Sequence, residues 1–130
     1  MSTAVRIEHV AIWTREPERL RDFYLHYFGA TANDGYYNPR REFRSFFLTL
    51  GSGARIELMQ VPQIADATEE VRVGLAHIAF SLGSKDAVDD LTARLRGDGF
   101  TVLDGPRTTG DGYYESVVAD PDGNRLELTI

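Results

Sequence analysis

The chain has 130 residues, of which 42% are hydrophobic, a formal net charge of -6 and no cysteine. This size and composition suit one domain with a real core, while the acidic charge disfavours nucleic-acid backbones and anionic membrane surfaces as partners. The lack of cysteine excludes disulfides and thiolate sites. No window reaches transmembrane length and no leader-like segment opens the chain, so a cytoplasmic protein is expected.

The first half of the chain predicts a strand, a helix and further strands. Pro17 suits a first helical turn, and Gly29 suits a C-terminal cap. The predicted elements are a strand at 6–13, a helix from about 16 to 28, and strands at 43–50 and 54–61 joined by a glycine turn at 51–53.

The second half repeats this order. Ser84 is expected to cap the second helix, and the run from Asp120 to Gly123 is expected to form a hairpin turn. The predicted elements are a strand at 74–82, a helix to about 96, a strand at 100–103 followed by a Gly/Pro/Thr-rich loop, and two hairpin strands on either side of 120–123. Both halves are assigned the same order of strand, helix and three strands, although only two strands are located after the first helix. We expect a single domain over 1–130 made of two modules, about 5–62 and 73–130.

Histidines and carboxylates stand at matched places in the two modules. His9 and His77 are 68 residues apart within H-[VI]-A-[IF], and Glu57 and Glu127 are 70 residues apart within R-[IL]-E-L. A lone strand histidine is more often a satisfied core residue, and a lone strand glutamate is more often solvated. Four such coincidences in two repeats favour a shared role instead.

Strand alternation predicts where these four side chains point. His9 shares a face with Ala11 and Trp13, and His77 shares a face with Ala79 and Ser81. If the first and last strands of each module are neighbours, two imidazoles and two carboxylates face one cavity. Such a thiolate-free donor set suits one divalent ion, with Ni, Co, Zn, Mn and Fe as the candidates. His26, on the first helix, has no counterpart and is expected at the surface or at a dimer contact.

Four segments resemble the vicinal oxygen chelate superfamily, also called the glyoxalase, bleomycin-resistance and extradiol-dioxygenase fold. They are IEHVAIWT with the helix after it, ARIELMQ, AHIAFSL and DPDGNRLEL. The resemblance covers nearly the whole chain and implies an α+β fold, in which two βαβββ modules form a cup-shaped, mixed half-barrel sheet with helices outside. It also implies a small-molecule substrate, and we expect a homodimer.

The ligand set most resembles bacterial glyoxalase I, the lactoylglutathione lyase. The resemblance implies metal ligands at His9, Glu57, His77 and Glu127, with Glu127 as the base and Glu57 on the opposite side. The implied reaction is that of a metal-dependent lyase or isomerase, which moves a proton through a metal-stabilised enediolate. The alternatives are a drug- or ligand-sequestering protein of the bleomycin-resistance type, an epimerase of the methylmalonyl-CoA epimerase type and, less favoured, a dioxygenase.

The substrate-binding positions depart from the glyoxalase I pattern. Trp13 and Val61 stand where that enzyme carries an Arg and an Asn for glutathione, so an apolar wall replaces a charged clamp. The predicted substrate-binding residues are Trp13, Met59, Ser81, Tyr113 and Glu115.

Overall fold

The computed structural model describes residues 4–130, and the chain divides into two compact units, Met1–Asp66 and Ala67–Ile130. The elements of the first unit are β1 (His9–Trp13), α1 (Pro17–Phe28), β2 (Thr31–Ala32), β3 (Tyr36–Asn38), β4 (Phe43–Thr49) and β5 (Arg55–Gln60). The elements of the second unit are β6 (Ile78–Ser81), α2 (Lys85–Gly97), β7 (Val102–Thr108), β8 (Tyr114–Ala119) and β9 (Arg125–Thr129).

Helix α1 has the ends that its sequence predicts. Pro17 occupies the first turn, where its missing N–H costs no hydrogen bond, and Gly29 closes the helix with a left-handed φ of 67°. The face formed by Leu20, Phe23 and Tyr24 is buried. The predicted bounds of this helix are confirmed.

The sheet of the first unit places the first strand beside the last. Its order is β1-β5-β4-β2, with β1 parallel to β5 and the other pairs antiparallel. Strand β3 pairs separately with β4, and the sequence analysis missed both β3 and the two-residue β2. Both are too short to carry a clear alternation of polar and apolar residues. Because β1 lies along β5, residues at the start of the unit meet residues near its end.

The two faces of this sheet differ in character. Phe46, Leu48, Ile56 and Leu58 lie on one face and are buried, as the core side of a half-buried sheet should be. Residues of opposite parity, including Glu57, lie on the other face. One face of this sheet therefore packs into the core, and the opposite face carries Glu57.

The second unit has the same plan. Its sheet order is β6-β9-β8-β7, again with the first strand parallel to the last. The Ser84 hydroxyl accepts a hydrogen bond from the Ala87 amide at 3.1 Å and caps α2, as predicted. In the core of this unit, the hydroxyl of Thr92 on α2 and the hydroxyl of Ser116 on β8 form a hydrogen bond of 2.7 Å. The α+β class and the repeated mixed-sheet module are therefore confirmed.

Two predicted strand bounds in this unit are wrong. Strand β6 begins at Ile78, so His77 lies just before the strand instead of inside it. Strand β7 runs to Thr108, through residues predicted as a loop. Its register against β8 shifts twice, and it is the edge strand, where a proline without an N–H is tolerated. A Cβ at Gly105 would lie 2.6 Å from the Glu115 carbonyl oxygen, so glycine is required at this close approach.

The turn between β8 and β9 is built around one carboxylate. Asp120 is 4% exposed, and its Oδ1 accepts hydrogen bonds from the amides of Asp122 and Asn124. Its Oδ2 accepts a bond from the Asn124 side chain at 2.8 Å. This network fixes the hairpin immediately before the strand that carries Glu127.

Neither helix in the part of the chain that the structure describes is long and apolar enough to cross a bilayer.

Candidate functional site

The first unit brings His9 and Glu57 together. The parallel register sets Ala11 opposite Glu57, so His9, two residues earlier, reaches the carboxylate diagonally. His9 Nε2 lies 3.6 Å from Glu57 Oε1, and the two side chains are 39% and 15% exposed. We call this pair the first half-site; it combines a partly exposed imidazole side chain with a mostly buried glutamate side chain.

Three further residues surround the His9 ring. The Phe47 ring meets it edge to face at a centroid distance of 5.2 Å, and Glu8 Oε1 lies 3.1 Å from His9 Nδ1. Arg55 donates to the same Glu8 oxygen at 2.6 Å. The sequence analysis missed all three, although two signals were present: Glu8 directly precedes His9, and Arg55 opens a motif that recurs as Arg125.

Glu8 is held in its ionised form. Hydrogen bonds from Arg55, and then from His9, lower the pKa of the Glu8 carboxyl below its ordinary value. The His9 ring therefore has an anionic neighbour at neutral pH.

The second unit brings His77 and Glu127 together. Ala79 lies opposite Glu127 in the parallel register, so His77 stands at the diagonal position that His9 occupies in the first unit. His77 Nε2 lies 3.2 Å from Glu127 Oε2, with side chains 40% and 22% exposed. We call this pair the second half-site.

A second carboxylate borders Glu127. Glu115 of β8 is the register partner of Thr129 of β9. Thr129 lies two residues after Glu127, so Glu115 is on the same face of the sheet as Glu127. Burial raises the pKa of Glu115 above its ordinary value, and the charge of Glu127 and a hydrogen bond with it raise that pKa further. The second half-site therefore holds one carboxylate against another, whereas Ser45 takes the position of Glu115 in the first unit.

Glu115→Gln is expected to stabilise the metal-free protein at neutral pH. The pKa of the Glu115 carboxyl is higher in the folded protein than the ordinary value of 4.5. Its contribution to the free energy of unfolding is therefore complete below pH 4.5 and is lost as pH rises through the raised pKa. Glutamine stays neutral and avoids that loss. Thermal denaturation in EDTA should show equal melting temperatures near pH 4 and a higher one for the variant at pH 8.

The matched control for this prediction is Glu69→Gln, because Glu69 is an exposed glutamate of the same unit. Its difference from wild type should not depend on pH. A Glu115→Gln protein less stable than wild type at pH 8 would contradict the assigned repulsion.

The donor atoms in both half-sites suit a divalent ion. Two ligands bound to one ion at about 2.0–2.2 Å lie roughly 2.8–3.6 Å apart, and the pairs here are separated by 3.6 Å and 3.2 Å. Imidazole nitrogen with carboxylate oxygen is a donor set that Zn, Ni, Co, Mn and Fe accept. Within residues 4–130 no group of three or more His, Asp or Glu side chains is placed to hold an ion, so the four predicted ligands come as two pairs.

Two predicted substrate-binding residues are neighbours in the first unit. Trp13 and Met59 are register partners at the end of β1 and β5. Trp13 is 50% exposed and meets Phe43 edge to face at 6.5 Å, and Tyr36 packs on Phe43 at 6.2 Å. We call Trp13, Tyr36 and Phe43 the aromatic cluster. The alternation of side chains along β1, β3 and β4 places these three rings on the same face of the sheet as Glu57.

The other three predicted substrate-binding residues lie in the second unit. Ser81 and Glu115 both pair with Thr129, from β6 and β8, so they flank it on the Glu127 face. Tyr113 lies just before β8 and is 59% exposed, in a turn where the Thr109 hydroxyl accepts from its amide. By contrast, the Tyr114 hydroxyl donates to Asp89 of α2, which places it on the helix side.

Comparisons with known proteins agree with this fold. The family model of the Glyoxalase/Bleomycin resistance protein/Dioxygenase superfamily matches residues 6–128. The uncharacterized protein YwkD of Bacillus subtilis (strain 168) is 32% identical over 94% of each chain. The match to a second protein of that organism, the uncharacterized YqjT, is 43% identical but spans only 44% of this chain and 47% of that one.

A solved structure extends the agreement. The glyoxalase family protein from Enterococcus faecalis superposes with a TM-score of 0.79 at 25% identity, over 95% of this chain and 96% of that one. The superfamily model also spans both half-sites, from β1 through Glu127. The chain therefore belongs to the Glyoxalase/Bleomycin resistance protein/Dioxygenase superfamily.

Proposed function

We propose that this protein is a metal-dependent lyase or isomerase of the glyoxalase I type, acting on a small substrate with vicinal oxygens. The observation that carries the proposal is the repetition of one pair, a histidine Nε2 beside a carboxylate oxygen, at equivalent places in both units. A solvated glutamate and a core histidine would not need to lie beside each other in both units. A coordination site assembled from two equivalent pairs does require this.

The proposed ligands are His9 and Glu57 from the first half-site and His77 and Glu127 from the second. One divalent ion, among Ni, Co, Zn, Mn and Fe, would polarise a carbonyl oxygen of the substrate and so acidify the adjacent C–H bond. Each half-site has a donor separation compatible with this role.

The proton transfer is assigned to the carboxylates. Glu127 is the proposed base because it lies beside His77 and its side chain is more exposed than that of Glu57, at 22% against 15%. Glu127 removes the proton from the carbon that bears the hydroxyl and returns it to the neighbouring carbon, which gives isomerisation. Return to the first carbon from the opposite side, where Glu57 is the proposed partner, gives epimerisation.

Substrate selection is assigned to the apolar surroundings of the first half-site. Trp13 packs on Phe43 where a glutathione-binding enzyme of this type carries an arginine. Arg44 is paired with Glu18 of α1, and Arg107 with Asp104 at 3.0 Å, so both are engaged in ion pairs. A flat or apolar substrate suits the aromatic cluster better than the glycyl carboxylate of glutathione does.

A thiol panel tests the proposed substrate preference. Methylglyoxal should be offered to the metal-loaded protein with glutathione, with uncharged thiols and with aromatic thiols. Because the lost arginine contact costs ~1.5–3 kcal/mol, the glutathione adduct should react about ten- to a hundredfold less efficiently than the best uncharged or aromatic adduct. A kcat/KM above about 10⁶ M⁻¹s⁻¹ with glutathione would contradict this assignment.

The exposed aromatic cluster also supports a second function, the sequestering of an apolar or drug-like ligand. Trp13 and Tyr36 are 50% and 56% exposed and both pack on Phe43, and exposed apolar patches often mark ligand-binding surfaces. Removal of the metal ion by a chelator distinguishes the two functions. A sequestering protein binds its ligand equally well after this treatment. A lyase or isomerase of the proposed type loses activity on chelation.

We also propose a homodimer. Each sheet ends in strands that are paired on one side only, and proteins cover such edges or associate through them. Sedimentation that gives the mass of one chain at micromolar concentration would contradict this assembly.

A further inference from the structure

The first half-site contains a polar contact that its counterpart lacks. We infer that Glu8 is a positioning residue, which holds the His9 ring with its proton on Nδ1 and thereby presents the Nε2 lone pair to the site. The inference deepens the proposed function, since it states how one of the proposed ligands is prepared. Its first test nevertheless requires no metal.

The hydrogen-bond chemistry fixes which nitrogen carries the proton. Glu8 Oε1 lies 3.1 Å from His9 Nδ1, and an ionised carboxylate only accepts hydrogen bonds. Nδ1 must therefore be the donor, which leaves Nε2 of the neutral ring unprotonated and directed toward Glu57 at 3.6 Å. Carboxylate–histidine pairs of this kind orient metal-binding histidines in general.

The carboxylate is itself held in place. Arg55 donates to the same Glu8 oxygen at 2.6 Å, and its guanidinium lies 4.3 Å over the Phe47 ring. Phe47 in turn meets the edge of the His9 ring at 5.2 Å. Glu8, Arg55, Phe47 and His9 thus form a closed ring of contacts, and each member limits the rotamers of the next. The Glu8 side chain is 56% exposed, but this ring keeps it beside His9.

The second half-site supplies the contrast. Ala76 precedes His77 and offers no acceptor side chain, and Val117 stands where Phe47 stands in the first unit. Arg125, the counterpart of Arg55, pairs with Glu70 at 3.1 Å instead. The device is therefore specific to His9, and His77 serves as an internal reference in the same molecule.

The first test reads the histidine tautomers by ¹⁵N NMR. The protein is labelled at its three histidines, freed of metal with EDTA and studied at pH 8, with signals assigned through His9→Gln and His77→Gln. We expect His9 to carry its proton on Nδ1 in the wild type. Glu8→Ala should shift His9 by at least half toward the Nε2–H form and leave His77 unchanged.

Conservative and matched variants separate positioning from folding. Glu8→Gln keeps a side-chain oxygen that accepts from Nδ1–H and should retain the wild-type tautomer. Glu70→Ala removes the equivalent arginine partner in the second unit and should leave His9 unaffected. A wild-type His9 protonated on Nε2, or a His9 tautomer that is the same in Glu8→Ala, overturns the inference. The wild-type spectrum alone decides it if Glu8→Ala does not fold.

The second test measures zinc affinity by competition with a chromophoric chelator. Glu8→Ala should bind zinc about tenfold to a hundredfold more weakly, and Glu70→Ala should match the wild type. Equal affinity in Glu8→Ala and wild type would overturn the role of Glu8 in ligand preparation. If the wild type binds no zinc, the same competition is run with Ni, Co, Mn and Fe. Binding of none of the five ions makes the proposed function fail, and the tautomer result still decides the inference.

Discussion

Glu127→Gln is expected to abolish exchange of a substrate C–H proton with solvent deuterium while leaving the metal bound. An amide oxygen can still coordinate an ion, but it cannot take up a proton at neutral pH, and a positioned base contributes about 10²–10⁴-fold to proton transfer. The measurement is ¹H NMR in D₂O with the methylglyoxal adduct of the best thiol in the panel. Metal content is determined on the same samples.

Two further variants show whether the effect is specific to Glu127. Glu70→Gln changes a carboxylate that pairs with Arg125 outside both half-sites, and it should exchange at the wild-type rate. Glu57→Gln makes the same change in the first half-site. If Glu57→Gln stops exchange and Glu127→Gln does not, the base has been assigned to the wrong half-site.

His9→Ala and His77→Ala are each expected to weaken metal binding by at least about a hundredfold, because each removes the imidazole of one half-site. At a metal concentration of about 100 times the wild-type Kd, binding stabilises the wild type by about 2.7 kcal/mol. The same concentration should stabilise a hundredfold weaker variant by only about 0.4 kcal/mol. Thermal denaturation with and without the ion measures this difference. His26 is an exposed histidine on α1, so His26→Ala is the control. The metal should stabilise this variant as much as it stabilises the wild type.

Mixing the two variant proteins tests whether a site is shared between chains. If His9 and Glu57 of one chain act with His77 and Glu127 of another, a mixture of His9→Ala and His77→Ala should regain part of the activity. If every site lies within one chain, the mixture stays as inactive as its components.

The sequence was sufficient to predict the helices and the repeated module. Pro17, Gly29 and Ser84 act through local backbone geometry, which neighbouring residues largely determine, so the ends of α1 and the start of α2 were predictable. The approach of His9 to Glu57, and of His77 to Glu127, was predictable for a different reason. Strand alternation combined with a repeat fixes which residues share a face, without knowledge of any rotamer.

The misplaced strands had causes that the sequence does not display. Strand β7 continues through Gly105 and Pro106 because it is an edge strand with an irregular register, and pairing is a property of the neighbouring strand as well. His77 was predicted within a strand, but pairing of β6 with β9 begins only at Ile78. Neither feature follows from local propensity.

The contacts around the His9 ring do not follow from strand alternation, although Glu8 and Arg55 could be noticed in the sequence. Glu8 and His9 are neighbours in the sequence, and strand alternation would direct their side chains to opposite faces of the sheet. Their contact depends on Arg55, which is brought alongside by the parallel pairing of β1 with β5. Likewise, parity places Glu115 on the face of Glu127, but the hydrogen bond between them depends on the register of β8.

The most direct test of the account is a count of bound ions in the purified wild-type protein. The apoprotein is reconstituted in turn with Ni, Co, Zn, Mn and Fe, dialysed, and analysed for metal by mass spectrometry against protein concentration. The proposal that one ion is held by His9, Glu57, His77 and Glu127 predicts about one ion per chain for at least one of these metals. Retention of none of the five would contradict the proposed metal centre and, with it, the assignment of this protein as a metal-dependent lyase or isomerase.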